Sequence, residues 1–321
     1  MSLPPEIVTL SSLNDLEIVA CDNLVSLANV QLPSSLKSLE IKECGVLESL
    51  PEGMKFLIHL RKFGLYGNEC LRWVPGNSLP TSLRDLYVFN CERWEFPIPK
   101  EMMRHYTSIK IFHAGNHFMS FPLGIFPNLC SIWFVMGKGL EKVYIPEGID
   151  DNRLVSPSEL RVGACPRLEI IGKEAGEGGA TVLPAPNLRF FDTNSCEKLK
   201  PALIEMEGEV LLPKIKQLTI EKPLRSIWRS LFRFSCLTAF LVSDMEMECF
   251  PNPDGGWSSL PTSLRYLEIM ECPKLRRVDG KALQILSSLQ ELHILSCIQL
   301  ESLLEEGLPL SLGHLVISKC P

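Results

Sequence analysis

The chain has 321 residues, of which 45% are hydrophobic and 22% charged, and its formal net charge is −6. This composition is that of a folded protein and excludes global disorder. A negative net charge without a block of basic residues argues against non-specific nucleic-acid binding. We expect no membrane span, since no apolar run approaches ~20 residues, and we recognise no signal peptide in the first ten residues.

A short apolar pattern, L-x-x-L-x-I-x-x-C, recurs thirteen times along the chain, most clearly at residues 36–51. We call its last position the slot. The thirteen slots are Cys21, Cys44, Asn68, Cys91, Ala114, Gly137, Cys165, Cys196, Pro223, Met245, Cys272, Cys297 and Cys320. Eight of the slots are cysteine and one is asparagine, and successive slots lie mostly 22 to 28 residues apart. Both features are typical of leucine-rich repeats, whose period is roughly 20–29 residues.

Each copy of the pattern predicts one short strand with a buried face. In residues 264–278, for example, Leu267, Glu268 and Ile269 alternate apolar, polar and apolar. One such unit cannot bury its own core, so stacking of neighbours is required. We therefore predict a leucine-rich-repeat solenoid of the α/β horseshoe class, with about 13 repeats in one domain over residues 1–321. A parallel β-sheet is expected on its concave side, and mostly loops and short 3-10 or helical turns on its convex side.

Several segments depart from this regular pattern. Repeats between about residues 138 and 223 are longer than the others, and their acidic, glycine-rich stretch 172–179 predicts a surface loop. Helical turns are predicted at 99–106 and 281–287. Four repeats enter their strand through Leu-Pro-x-Ser-Leu, where proline favours turn or extended backbone. The register is open in the weak copies, whose slots are Ala114, Gly137, Pro223 and Met245.

The cysteine pattern and the scattered histidines predict a protein without catalytic chemistry. Slot cysteines are expected to form a column of buried, reduced thiols, which favours a cytoplasmic location. The six histidines form no H-E-x-x-H motif, and no Gly-x-Ser-x-Gly elbow occurs. We predict no enzyme activity, no catalytic residue, no metal site and no cofactor. A P-loop and coiled-coil heptads are also absent, which predicts no nucleotide-binding domain and no coiled-coil domain in this chain.

The strand positions six, four and two residues before each slot are expected to point outward on the concave side. In repeats three to six, half of these twelve positions carry aromatic or apolar side chains, which are typical of a partner-binding surface. The other half include Lys62, Gly64 and Lys110. The predicted binding residues are Tyr66, Tyr87, Phe89, Phe112, Trp133 and Val135, with Arg161 and Asp192 at equivalent positions of later repeats. Two alternatives stay open: docking against a neighbouring domain, and a one-residue slip that would bury these side chains.

Residues 32–54, LPSSLKSLEIKECGVLESLPEGM, resemble the C-terminal leucine-rich repeats of plant coiled-coil-type nucleotide-binding disease-resistance proteins. Similar segments lie at 79–97, 260–278 and 305–321, so the resemblance covers nearly the whole chain. It implies a non-enzymatic recognition module of plant innate immunity that contributes to receptor autoinhibition. The implied partners are a pathogen effector, a guarded host protein, or the receptor's own nucleotide-binding domain.

Other functions remain compatible with these repeats. Because the signalling domains are missing, we expect either a fragment of a longer receptor or a truncated product. A substrate receptor of a ubiquitin ligase, or a generic protein-binding scaffold, is the alternative, and the former requires an F-box-like segment upstream. An extracellular receptor ectodomain is the third alternative. It predicts a signal peptide, glycosylation sequons and paired cap cysteines, and we see none of these in the sequence.

Overall fold

The computed structural model describes residues 3–72, 79–94, 104–113, 115, 118–145, 157–175, 180–182, 187–196, 198, 202–203, 205–206, 209–210, 213–222, 228, 231–251, 260–303 and 307–321. In chain order its strands are β1 (Asp15–Val19), β2 (Ser38–Lys42), β3 (Lys62–Tyr66), β4 (Asp85–Phe89), β5 (Ser108–Phe112), β6 (Ser120–Pro122), β7 (Ser131–Val135), β8 (Lys142–Tyr144), β9 (Glu159–Gly163), β10 (Ile170–Ala175), β11 (Ala180–Val182), β12 (Phe190–Asp192), β13 (Ala202–Leu203), β14 (Glu205–Met206), β15 (Glu209–Val210), β16 (Gln217–Glu221), β17 (Ala239–Ser243), β18 (Cys249–Phe250), β19 (Tyr266–Met270), β20 (Arg277–Val278), β21 (Glu291–Leu295), β22 (Ser302–Leu303) and β23 (His314–Ser318). Short 3-10 helices lie at Pro5–Thr9, Met54–Phe56, Leu123–Ile125 and Leu231–Arg233, and an α-helix, α1, at Gly280–Gln284.

Two compact units are distinguished. The first contains Met1–Pro157, Arg161–Glu174 and Cys196–Lys200, and the second contains Ser158–Leu160, Ala175–Ser195 and Pro201–Pro321. In the first unit β1, β2, β3, β4, β5 and β7 are parallel neighbours in this order. In the second unit the order is β12, β16, β17, β19, β21 and β23, again parallel. The single domain over residues 1–321 stays a prediction.

Every predicted repeat contributes one strand that begins six residues before its slot, including the four weak copies. Side chains alternate along these strands: Leu267 and Ile269 are fully buried, as are the slot residue Cys272 and the leucine Leu264. The stacking of short parallel strands, each burying one apolar face, confirms the predicted leucine-rich-repeat solenoid. It also settles the register around Gly137 and Met245, which are themselves buried.

The residue before each slot adopts a left-handed backbone conformation in all thirteen repeats. One of them is Gly67, with φ of 65°, and the others are Ala20, Glu43, Asn90, His113, Met136, Ala164, Ser195, Lys222, Asp244, Glu271, Ser296 and Lys319, with φ between 48° and 57°. None of these is β-branched, because a branched side chain tolerates this region least. In ten of these residues the amide donates to the carbonyl that ends the next strand, as from Glu43 to Tyr66 at 2.7 Å.

The slot supplies hydrogen bonds inside the turn, which explains its preference for cysteine and asparagine. Asn68 is fully buried; its Oδ1 accepts from the Cys44 amide at 3.1 Å and its Nδ2 donates to the Ile41 carbonyl at 2.8 Å. The Cys196 thiol donates to the equivalent carbonyl of the preceding repeat, that of Val162, at 3.2 Å. The Cys91 thiol instead donates to the Phe89 carbonyl of its own strand at 3.4 Å. Burial raises the pKa of Cys91 to about 11, so its thiol stays protonated and able to donate.

The Leu-Pro-x-Ser-Leu entries form a turn that joins neighbouring repeats. The amide of the second leucine donates to the proline carbonyl, as from Leu83 to Pro80 at 3.1 Å. The serine hydroxyl donates to a carbonyl of the preceding repeat, as from Ser82 to Leu60 at 2.8 Å. Ser35, Ser263 and Ser311 make the equivalent bond at 2.7–2.8 Å. The motif therefore fixes the entry to the strand and its distance from the preceding repeat.

The side predicted to be mostly loops carries short strands as well. In the first unit β6, β8 and β10 pair in parallel, and in the second unit β18, β20 and β22 do the same. The predicted loop 172–179 is partly wrong, since Gly172–Ala175 belong to β10, while 176–179 lie outside the described residues. The helical turn predicted at 281–287 is present as α1, capped by the Asp279 carboxylate. Of the turn predicted at 99–106, the described residues 104–106 are not helical.

Phenylalanine replaces leucine in the core of the weak repeats of the first unit. The Phe121 ring, fully buried, lies 5.0 Å from the ring of Phe126 and 4.9 Å from that of Phe134. The slot here is Gly137, where a Cβ would approach Cys165 Sγ at 3.2 Å and Leu140 Cβ at 3.3 Å. A side chain at this slot would therefore be tightly packed against both neighbours. Among the helices in the described part of the chain, none is long and apolar enough to span a bilayer.

Candidate functional site

The candidate site is the open sheet face of the first unit, formed by the side chains six, four and two residues before each slot. The predicted residues Tyr87 and Phe89 are half-buried there, whereas Leu86 and Val88 between them face the core. Tyr66, Phe112, Trp133, Val135 and Arg161 are likewise half-buried. A one-residue slip is therefore excluded in these strands, and the aromatic side chains belong to the surface.

Three aromatic rings form a continuous stack across neighbouring strands. The ring centroids of Tyr66 and Phe89 lie 5.1 Å apart, and those of Phe89 and Phe112 lie 4.4 Å apart, with nearly parallel planes. The Trp133 ring lies 6.0 Å from Phe112 in a tilted arrangement, and Val135 is the strand partner of Phe112. Such ring pairs contribute about 0.5–1.5 kcal/mol beyond their buried area, so the stack stabilises this arrangement of the rings.

Gly64 leaves room for the first ring of this stack. A Cβ at Gly64 would lie 2.6 Å from Cε2 of Tyr66. The Tyr66 ring therefore folds back over its own strand, above the glycine, and reaches Phe89 on the next strand. Gly64 therefore leaves a gap in the row of side chains four residues before the slot, and the ring of Tyr66 fills this gap.

A second row alternates aromatic rings with cations. Lys110 Nζ lies 3.7 Å from the Trp133 ring centroid, and Arg161 Cζ lies 4.6 Å from the same ring. Lys110 also lies 5.9 Å from the Tyr87 ring, which Lys62 approaches at 5.7 Å. Cation–π contacts of this kind contribute about 0.5–2 kcal/mol each. The row therefore holds two positive charges at defined positions over Trp133.

Two polar atoms of this face are buried without a hydrogen-bond partner. They are Nε1 of Trp133 and Oγ of Ser108, on neighbouring strands. A buried donor left unsatisfied costs about 1–3 kcal/mol. An acceptor supplied from outside, after a small shift of the covering side chains, would remove this cost at Trp133.

Charge changes sign along the row four residues before the slot. It begins with the carboxylates of Glu17 and Glu40 and ends with Lys110 and Arg161. The acidic end is neutralised, because Lys42 Nζ lies 2.6 Å from both carboxylates and Lys62 also pairs with Glu40.

Opposing effects act on the Glu40 carboxyl. Burial alone raises its pKa, but hydrogen bonds from Lys42 and Lys62 and the charges of these lysines outweigh burial, so the pKa lies below the ordinary value. The ionised form is therefore favoured in the folded chain.

This lowered pKa predicts a loss of stability in acid. A carboxyl with a depressed pKa in the folded state stabilises the protein above its unfolded-state pKa, and this contribution disappears as the pH falls through the folded-state pKa. We expect the free energy of unfolding of Glu40→Gln to fall less than that of the wild type between pH 6 and pH 3, by at most about 1 kcal/mol because both lysine partners are partly exposed to solvent. Urea unfolding at several pH values measures the difference.

The matched control is Glu69→Gln, which changes an exposed glutamate on the turn after β3. Its pH profile should follow that of the wild type. A profile of Glu40→Gln that also follows the wild type would contradict the stabilising role of the lysine pair.

The remaining predicted residue, Asp192, belongs to the second unit. Its Oδ1 accepts from the Asn194 amide at 3.1 Å, and it is half-buried.

The sequence pattern placed Lys62 and Lys110 on the open sheet face but did not identify them as partners of the aromatic rings. A usable signal was present, since Lys110 directly opposes both Tyr87 and Trp133 in the strand register.

Comparison with curated proteins gives one relative of known class. The chain is 29% identical over 316 residues to a putative disease resistance protein of Arabidopsis thaliana. The match covers 91% of this chain and 22% of that protein, so the chain spans about a fifth of the relative. No protein-family model matches the chain.

Solved structures of leucine-rich repeat proteins resemble it more distantly. A leucine-rich repeat protein of Leptospira interrogans is 14% identical, with 98% of this chain and 93% of that chain covered and a TM-score of 0.43. The circular leucine-rich repeat protein CroV588 is 16% identical over 96% of this chain and 53% of that one, with a TM-score of 0.41. The fold assignment rests on this chain's own strands. Together with the sequence match, it confirms the resemblance to the leucine-rich repeats of plant disease resistance proteins.

Proposed function

We propose that this chain is a non-enzymatic recognition module of plant innate immunity that binds a polypeptide on the open sheet face of the first unit. The observation that carries the proposal is Trp133, which lies under Lys110 and Arg161 and whose indole N–H is buried without an acceptor. Tryptophan, tyrosine and arginine are the residues that most often dominate binding at protein interfaces.

The chemistry of the face indicates the chemistry of the partner. The stack of Tyr66, Phe89 and Phe112 offers a flat apolar surface, and the cations over Trp133 lie at its edge. A segment with an apolar side chain followed by a carboxylate would complement both. The carboxylate would meet Lys110 and Arg161 and accept from the indole N–H.

The biological setting is proposed from the similarity to the Arabidopsis protein. On this basis the partner is a pathogen effector or a guarded host protein, and the same face contributes to autoinhibition by contacting the receptor's own nucleotide-binding domain. We place the protein in the cytoplasm. The thiols of Cys44, Cys91 and Cys165, which are free and buried, are in keeping with a reducing compartment.

The test is Trp133→Ala in the full reading frame that encodes this chain. Cell death is scored in leaves against a panel of pathogen effectors, and the affinity for the recognised effector or guarded protein is measured by calorimetry. We expect binding to weaken about 30-fold or more, since loss of a central tryptophan commonly costs 2 kcal/mol or more, and the response to weaken with it. Cell death without any effector would support the autoinhibitory contact.

Phe56→Ala serves as the matched control. Phe56 is 67% exposed, carries Lys55 5.0 Å from its ring, and lies in a 3-10 helix away from the open sheet face. This variant should recognise its partner as the wild type does. If Trp133→Ala unfolds at the wild-type temperature and keeps full affinity and response, the proposed face is wrong.

A further inference from the structure

A second cluster of side chains lies on the strands of the second unit. Glu291 and His293 belong to β21 and His314 to the neighbouring β23. His293 Nε2 lies 3.7 Å from Oε2 of Glu291, and His314 Nδ1 lies 3.8 Å from the same oxygen. Each of the three residues offers one ligand atom, and these three atoms all lie within 4.8 Å of one another.

The two ring nitrogens of His293 have different surroundings. Nδ1 lies 3.2 Å from the hydroxyl of Tyr266, and this hydroxyl also hydrogen-bonds the carboxylate of Glu268. A carboxylate can only accept, so the phenol O–H is the donor in its hydrogen bond to Glu268. The phenol oxygen then accepts a hydrogen bond from Nδ1–H of His293, and in this tautomer Nε2 carries the lone pair.

His293 Nε2 is buried and has no hydrogen-bond partner. It therefore presents a lone pair toward Glu291 and His314 without any donor to satisfy it. A histidine that ligates a metal through one nitrogen and is held by a hydrogen bond at the other is the usual arrangement in metal sites. Here Tyr266 and Glu268 stand in the supporting positions.

We propose that Glu291, His293 and His314 bind a divalent transition-metal ion, zinc foremost, on the strands of the second unit. Two imidazoles and one carboxylate suit zinc and other late transition metals, whereas calcium and magnesium prefer all-oxygen sites. Tetrahedral zinc with bonds of about 2.0–2.1 Å requires ligand atoms about 3.4 Å apart. The distances from Glu291 Oε2 to the two histidine nitrogens, 3.7 Å and 3.8 Å, are close to this value, and one ligand atom from each residue lies within 4.8 Å of the others.

The site would tie two neighbouring repeats together and keep one coordination position open. The three ligands come from two strands whose backbones are already hydrogen-bonded, so binding requires no rearrangement of the sheet. His314 is exposed, with 61% of its side chain accessible, so the ion can enter from solvent. Three protein ligands leave the fourth position for water or for a donor atom from outside.

The experiment measures zinc binding directly by calorimetry on the whole chain. Exposed thiols also bind zinc, so Cys130→Ser and Cys236→Ser, which change the two exposed cysteines, are introduced first as a common background. We expect one zinc ion per chain, and cobalt in its place should give ligand-field absorption without a thiolate charge-transfer band. His293→Gln and His314→Gln should each weaken zinc binding more than about 100-fold, because loss of an outer partner alone typically costs 10–100-fold.

Two further variants separate the site from general histidine binding. Tyr266→Phe removes the hydroxyl at His293 Nδ1 and should weaken zinc binding about 10-fold while leaving the stoichiometry at one. His59→Gln changes an exposed histidine of the first unit and should leave binding unchanged. Absence of zinc binding by the background protein, binding that survives His293→Gln with His314→Gln, or a thiolate band with cobalt would each overturn the proposal.

Discussion

Phe121→Ala is expected to lower the free energy of unfolding by about 3–5 kcal/mol, the usual range for deletion of a buried phenylalanine ring. The ring is fully buried and packs on Phe118, Phe126 and Phe134 at centroid distances of 6.5, 5.0 and 4.9 Å. The three surrounding rings cannot move in to fill the space that the Phe121 ring leaves. The contribution of this cavity to the loss of stability should therefore be near its maximum. Urea unfolding followed by circular dichroism measures the loss.

Two comparisons make this expectation specific. Phe121→Leu keeps most of the buried volume and should cost about 1–2 kcal/mol. Phe232→Ala removes a ring that is 47% exposed and should change stability by less than about 0.5 kcal/mol. A cost of Phe121→Ala no larger than that of Phe232→Ala would contradict the aromatic core of the weak repeats.

Asn68→Ala should lower the free energy of unfolding by about 2–4 kcal/mol. The substitution leaves the Cys44 amide and the Ile41 carbonyl without their side-chain partners, and each buried group left unsatisfied costs about 1–3 kcal/mol. The same chemical denaturation experiment reports the change. Hydrogen exchange should also accelerate specifically at the Cys44 amide. Loss of side-chain volume alone would not single out this amide.

Asn68→Cys tests the equivalence of the two slot residues. A thiol donates weakly and fills a similar volume, so we expect about half the loss seen with alanine. Asn29→Ala, which changes an exposed asparagine, should be neutral within about 0.5 kcal/mol. Equal stabilities of Asn68→Ala and the wild type would show that the slot contributes volume and not hydrogen bonds.

The repeat strands and their register were predictable because the constraint that produces them is local. The alternation of Leu267 and Ile269 around Glu268 identifies the buried face of β19 without knowledge of any other repeat. Even where the slot held Gly137 or Met245, the leucine and isoleucine positions before it kept the same spacing, and the strands β7 and β17 begin where the pattern places them.

Features that depend on side-chain placement between repeats could not be predicted in the same way. The rotation of the Tyr66 ring over Gly64 depends on the absence of a Cβ and on Phe89 in the next repeat. Tyr266, His293 and His314 are separated by 27 and 21 residues in sequence, and only the strand register brings them together. The short strands on the other side, such as β10, lack the alternation that marks a half-buried strand, so a glycine-rich segment favoured a loop.

The left-handed residue before each slot has a thermodynamic consequence for the whole array. A non-glycine residue in this conformation costs about 1 kcal/mol or more, and in most repeats its amide is bonded to the carbonyl ending the following strand, as from Ser296 to Ser318 at 2.8 Å. The strain of one coil is thus relieved only when its successor has formed. Most of the folding free energy therefore comes from the junctions between repeats, so neighbouring repeats are coupled as in a one-dimensional lattice. A single repeat in isolation has no stable folded state.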